Sequence, residues 1–156
     1  MEAVDYKDAV VIITGGSSGI GAAMVKAFAE VRAVVYFLDI DEVAGEALAE
    51  SCKMKQLHVS FIPCDITRLT AFQKVVHDIH EKHGQINVLI NNAGIAYVGN
   101  IEQTSEVDLQ NLIDVNIKGV YHGILSVIPF MKEQGGGVIL NVGSIAAEVA
   151  LPDRFA

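Results

Sequence analysis

The run Thr14-Gly15-Gly16-Ser17-Ser18-Gly19-Ile20-Gly21 restricts this chain more than any other stretch. Before it stands Ala9-Val10-Val11-Ile12-Ile13, too short for a buried helix and suited to a buried strand. After it comes Ala22-Ala23-Met24-Val25-Lys26-Ala27-Phe28-Ala29-Glu30, rich in helix formers. A glycine motif carries weight in this context of strand, loop and helix. Glycine permits a sharp turn and lets an anion come close to the main chain, where the free N–H groups and positive end of the next helix face it. The pattern reads as a phosphate site.

The same alternation continues along the chain. Apolar runs at 10–13, 34–38, 59–62, 88–90 and 138–142 read as strands, and the segments 20–31, 41–53, 69–83 and 105–132 read as helices. Strands separated by helices of this length imply βαβ units, hence an α/β fold with a doubly wound parallel sheet, Rossmann-type, in three α/β/α layers. Right-handed crossovers put the glycine loop at the carboxyl edge of the sheet, near the point where strand order reverses. Ser105-Glu106-Val107-Asp108 opens the longest helix with a capping residue and early acids, and Pro129 is expected to end or bend it. The chain has no repeat or linker, so residues 1–156 read as one domain.

Composition narrows the function. The 156 residues are 51% hydrophobic, which suits a sheet covered on both faces. The net charge of −8 leaves a nucleic-acid partner without electrostatic footing. The longest apolar runs fall far short of the roughly 20 residues that a membrane helix needs, and no basic amphipathic stretch suits a membrane surface. The N-terminus lacks the basic-then-apolar pattern of a signal peptide, and Cys52 and Cys64 lack metal-ligand spacing, so they read as packing residues in a cytoplasmic protein. His77, His80 and His83 recur every three residues on one expected helix. A solvated surface is favoured there over a metal site, because further ligands are not evident. His58 and His122 read as structural.

Asp39 ends the second strand, 18 positions after Gly21. A carboxylate there can accept hydrogen bonds from both adenosine-ribose hydroxyls of NAD and repels the 2′-phosphate of NADP. Its alternative is to cap the helix 41–53. No Arg or Lys beside Gly19 or directly after Asp39 favours NADP, so NAD is preferred. Asp65, beyond the third strand, can pair with an adenine amino group or cap the next helix with Thr67. Asn91-Asn92-Ala93-Gly94 follows the fourth strand, where small residues let a flat ring lie against the main chain; a plain turn is the other reading.

Together these motifs resemble the short-chain dehydrogenase/reductase family over essentially the whole chain. TGGSSGIG at 14–21 is similar to that family's TGxxxGxG loop, and Asp39, Asp65 and NNAG at 91–94 fall where the family has its ribose contact, adenine contact and central-strand signature. Asn116 resembles the helix asparagine that holds a proton-relay water, and Ser144 resembles the serine that orients the substrate carbonyl. The resemblance implies a cofactor site of Gly15, Ser17, Gly19, Ile20, Gly21, Asp39, Asp65, Ile66, Asn92 and Gly94, catalytic roles for Asn116 and Ser144, and no metal. It implies hydride transfer between nicotinamide and a small-molecule secondary alcohol or ketone. It also implies subunits that pair as a homodimer or homotetramer.

One departure matters. Family members carry a YxxxK motif roughly a dozen residues beyond the serine, and none of Tyr6, Tyr36, Tyr97 and Tyr121 begins one. The chain therefore reads as the N-terminal part of a longer enzyme, its sheet incomplete at the C-terminal side and its last strand left with an open edge. A smaller departure is Arg32, where relatives have glycine after the first helix. The alternative reading is a non-catalytic nucleotide-binding module. An S-adenosylmethionine methyltransferase is disfavoured by NNAG, Asn116 and Ser144, and a P-loop NTPase lacks the Lys-Ser/Thr after Gly21.

Overall fold

A computed structural model describes residues 5–145 and Val149; residues 1–4, read above for a leader, lie outside the described residues. Five strands, β1 (Val10–Thr14), β2 (Val34–Asp39), β3 (Val59–Pro63), β4 (Val88–Asn91) and β5 (Val138–Asn141), form one sheet in the order β3-β2-β1-β4-β5. Every pairing is parallel. The helices α1 (Gly19–Glu30), α2 (Glu42–Met54), α3 (Leu69–His83), α4 (Glu106–Ile113) and α5 (Gly119–Glu133) fill the connections. The Rossmann-type arrangement expected from the alternation is the one found.

Alternate strand residues point to opposite faces, and both faces are apolar because both are covered. Val10, Ile12, Tyr36, Leu38 and Leu89 pack beneath Phe72, Val76 and Ile79 of α3 and Val127 and Met131 of α5. Val11, Ile13, Val35, Phe37, Val88 and Ile90 pack against Val25 and Ala29 of α1 and Leu48 and Cys52 of α2. Both cysteines are free and buried, as a packing role requires. β5 is the exception. It pairs only with β4 among the described residues, and Val138 and Leu140 are 53% and 48% exposed, so the sheet has an open edge on that side.

The structure corrects the sequence reading in three places. The helix expected over 105–132 is divided: a π-helical turn at Asp114–Lys118 separates α4 from α5, with Gly119 N–H donating to Asp114 O. Lys118 and Gln110 brace the turn by donating to Asp114 Oδ1 at 2.6 and 2.8 Å, and these bonds hold that carboxyl below its ordinary value. Of the two outcomes expected at Pro129, an end to the helix is not found, since α5 continues to Glu133. The histidines of α3 are not uniformly solvated. His77 is exposed, whereas His80 stacks on Phe130 at 4.2 Å between ring centres and His83 Nε2 meets Tyr36 OH at 2.8 Å. Periodicity alone could not show that Phe130 of α5 and Tyr36 of β2 would lie against that face.

Arg32 behaves as its position predicts. Ala33 N–H donates to Phe28 O and Arg32 N–H to Ala29 O, a Schellman-type close with Arg32 at φ 65°. The left-handed conformation favours glycine, and arginine bears a cost of about 1 kcal/mol there.

Candidate functional site

β1 and β4 are neighbours, yet the connections from them run toward opposite edges of the sheet. A crevice opens beyond the carboxyl ends of strands at such a switch point. Thr14, fully buried at the end of β1, holds the crevice floor. Its Oγ1 accepts from Asn92 N–H at 3.0 Å and Ala93 N–H at 3.1 Å. Asn92 Nδ2 answers by donating to Thr14 O and Gly15 O, both at 3.0 Å. Two loops from strands far apart in sequence are thereby locked together.

The glycine loop packs so tightly at Gly15, Gly16 and Gly21 that a side chain is excluded there. A Cβ on Gly21 would stand 2.0 Å from Gly15 O and 2.7 Å from Asn92 Nδ2. Gly15 itself has φ 64°. Gly15 N–H and Gly16 N–H donate to Leu38 O at 2.8 and 3.4 Å, and Ser17 N–H donates to Asp39 Oδ2 at 3.0 Å. These three amides are committed to the end of β2. The next bonded amide is Ala22 N–H, donating to Ser18 O, and the Ser18 side chain makes no capping bond. The N–H groups of Gly19, Ile20 and Gly21 therefore have no partner among the described residues. All three residues line a cleft of about 400 Å³.

Asp39 stands on the wall of that cleft. Its Oδ1 accepts from Ile40 N–H at 2.8 Å and Asp41 N–H at 3.1 Å. Capping of α2 falls instead to Asp41, whose side chain accepts from Ala44 N–H at 3.0 Å. Asp65 does not cap α3 either, since Arg68 occupies the N-cap position. Asp65 Oδ1 closes a local turn by accepting from Thr67 N–H and Thr67 Oγ1 at 2.9 and 2.7 Å, and Oδ2 makes no bond among the described residues. Burial, followed by the neighbouring Asp65 charge, pushes the Cys64 thiol up, so a protonated thiol lies in the cleft wall.

The cleft gathers nine of the ten residues expected at a cofactor site: Gly15, Gly19, Ile20, Gly21, Asp39, Asp65, Ile66, Asn92 and Gly94. Ser17 does not line it; it is 8% exposed, with a buried Oγ that has no partner among the described residues. Asn116 is exposed in the π turn rather than sunk in an apolar helix face. Its Oδ1 accepts from Ile95 N–H and its Nδ2 donates to Ile95 O, each at 2.9 Å, so its amide fixes the chain just after NNAG. Ser144 is exposed three residues past β5 and is not among the cleft-lining residues. Asn91 Nδ2 donates to Asn141 Oδ1 at 2.8 Å and Val142 N–H donates to Asn91 O at 2.9 Å, which ties the start of that segment to β4.

Sequence reasoning missed Thr14, Ile95 and Val115. Thr14 had a signal, being the polar residue that opens the glycine motif at a strand end. Ile95 contributes main chain and gives none. Among the described residues, no group of three or more His, Cys, Asp or Glu could hold a metal ion.

The sequence model described as short chain dehydrogenase matches residues 9–156. This chain belongs to the short-chain dehydrogenase family. An uncharacterized oxidoreductase of Thermotoga maritima is 38% identical over 151 residues, a match covering 97% of this chain and 59% of that protein. The 3-alpha-(or 20-beta)-hydroxysteroid dehydrogenase of Mycobacterium tuberculosis is 36% identical over 136 residues, covering 87% of this chain and 51% of the relative. A short-chain dehydrogenase from Burkholderia phymatum, solved in complex with NAD, superposes with a TM-score of 0.92 at 25% identity, covering 97% of this chain and 54% of that one. This short-chain dehydrogenase chain thus spans a little over half the length of the relatives it matches. No helix among its described residues is long and apolar enough to cross a membrane.

Proposed function

We propose that residues 1–156 are the cofactor-binding domain of a cytoplasmic, NAD-dependent oxidoreductase that moves hydride between nicotinamide and a secondary alcohol or ketone. One observation carries the reading: the amides of residues 19–21, without a partner among the described residues, border a cleft that Asp39 also lines. The amides suit a diphosphate, and the carboxylate suits ribose hydroxyls while repelling a 2′-phosphate. Asp65 Oδ2, without a bond among the described residues, suits an adenine amino group and Ile66 its ring face, while Asn92 and Gly94 border main chain against which a flat ring can lie. NAD, when bound, supplies the hydride-exchanging ring.

Ser144 would hold the substrate oxygen as charge develops on it, and Asn116 would hold a relay water. None of the four tyrosines lines the cleft or begins a YxxxK, so we assign the acid–base step to the share of the relatives' length that this chain does not match. We assign the exposed stripe of Ile117, Tyr121 and Leu125 to pairing of complete subunits as a dimer or tetramer. A binding module without turnover is the second reading, favoured by the same lack of a cleft tyrosine. NADH binding without NADH production from a panel of secondary alcohols would support it.

The chain has no tryptophan, so NADH emission can be followed without interference in a titration. Saturable binding of NADH, tighter than NADPH, is expected. Absence of binding by either cofactor would remove the proposal, and tighter NADPH binding would remove the role given to Asp39.

A further inference from the structure

We propose that Asp39 is also a positioning residue for the diphosphate site, holding the glycine loop in its receptive shape before any cofactor arrives. This inference goes beyond the ribose role and rests on the proposed function only for the identity of the anion. Ser17 is nine-tenths buried, and its Oγ has no partner. Its N–H bond to Asp39 Oδ2 at 3.0 Å is the one hydrogen bond it makes among the described residues. Ser17 immediately precedes Ser18, the N-cap of α1, which is itself without a side-chain cap. The carboxylate is in turn immobilised from below by Ile40 N–H and Asp41 N–H on Oδ1. A rigid path therefore runs from the end of β2 through Asp39 to Ser17 and on to the open amides of residues 19–21.

Charge and geometry predict opposite outcomes for this residue. If Asp39 influenced the diphosphate through its charge alone, a neutral replacement would tighten pyrophosphate, because a nearby negative charge would be gone. If it anchors the loop, the replacement leaves a buried Ser17 N–H unpaired and lets the amides of residues 19–21 drift, weakening pyrophosphate. D39N is a strict test of this. Its amide oxygen can serve Ser17 or the Ile40–Asp41 pair, but its NH2 group then faces the other donor.

The first measurement needs no variant. Amide hydrogen exchange of the free 156-residue chain should show Ser17 protected about tenfold or more above residues 19–21. Ser17 exchanging as fast as they do would overturn the proposal. In D39N and D39S, Ser17 protection should fall about tenfold or more while amides of β4 keep theirs, which separates loop release from unfolding. Titration with inorganic pyrophosphate, which has no 2′-phosphate for Asp39 to repel, should show severalfold weaker binding in both variants; unchanged or tighter binding would overturn the anchor. A wild-type chain that binds no NADH would remove the proposed function, and Ser17 exchange would still decide this inference.

Discussion

The two ends of the sheet are built from the same kinds of residue and treat their polar groups in opposite ways. At the amino end, side-chain amides close off the main chain. Asn87 Oδ1 accepts from Val10 N–H at 2.7 Å, and Gln134 takes Ile86 N–H on Oε1 at 2.9 Å while donating to Ile86 O at 2.7 Å. Even the buried Tyr36 hydroxyl is shared between His83 Nε2 and Lys82 Nζ. At the carboxyl end Thr14, Asn92 and Asn116 make equally close bonds, but these hold loops around a row of amides left open. Unpaired main-chain groups cost free energy unless water or a ligand meets them, so a row of open amides that also lines a cleft makes that end the candidate for binding. One edge closes its polar groups on itself and the other presents a candidate site.

The sharpest way to break this contrast is Gly21→Ala. The added carbon cannot coexist with Gly15 O, and strain of about 1–3 kcal/mol implies roughly tenfold to hundredfold weaker NADH binding. Retention of full affinity in a fluorescence titration would show that the loop is not the binding surface.

A matched pair sharpens it. Thr14→Val and Gln134→Ala each leave main-chain groups without their partner, and urea unfolding should show a loss of about 1–3 kcal/mol for either. Only Thr14→Val should also weaken NADH. Equal effects on affinity would erase the distinction between the edges.

Arg32→Gly lies at the amino end and should raise stability by up to about 1 kcal/mol, a rise in Tm of about 2–4 °C, with NADH affinity unchanged. A lower Tm would mean that the arginine side chain contributes packing that offsets its strained backbone.

The smallest effect is a pH dependence. Burial, then the charge of Lys82, pushes His83 below its ordinary value of 6.5. The folded state thus binds fewer protons than the unfolded chain in that range. The His83 contribution to stability should be complete above about pH 6.5 and decline as pH falls through the lowered folded-state value. Urea midpoints measured between pH 7.5 and 5 in wild type and His83→Gln should differ in slope. Parallel curves would show that the Tyr36–His83 contact is not coupled to protonation.

Much of the candidate site was visible before folding, for a reason that also sets its limit. Asp39 and Asp65 could be picked out as candidates because each ends or follows an apolar run in a strand–helix rhythm, and both line the cleft. Helix capping could not be excluded for either until Asp41 and Arg68 were found at the N-cap positions. The histidines of α3 were misread because the ring of Phe130 and the hydroxyl of Tyr36 come from segments distant in sequence. The π turn left no mark in the apolar periodicity on either side of it.

Local patterning by itself determined a parallel sheet layered between helices, with glycine at the β1–α1 turn and a carboxylate at the end of β2. Those features arise from residue-by-residue preferences and from burial on two faces, which neighbours in sequence already encode. Only the tertiary structure decided that Thr14 would clamp Asn92, 78 residues away, that Asn116 would grip the main chain of Ile95, and that Asp39 would reach back to Ser17. Hydrogen bonds from side chains to main chain across such separations depend on where the folded chain brings each N–H and C=O group, and no periodicity records that.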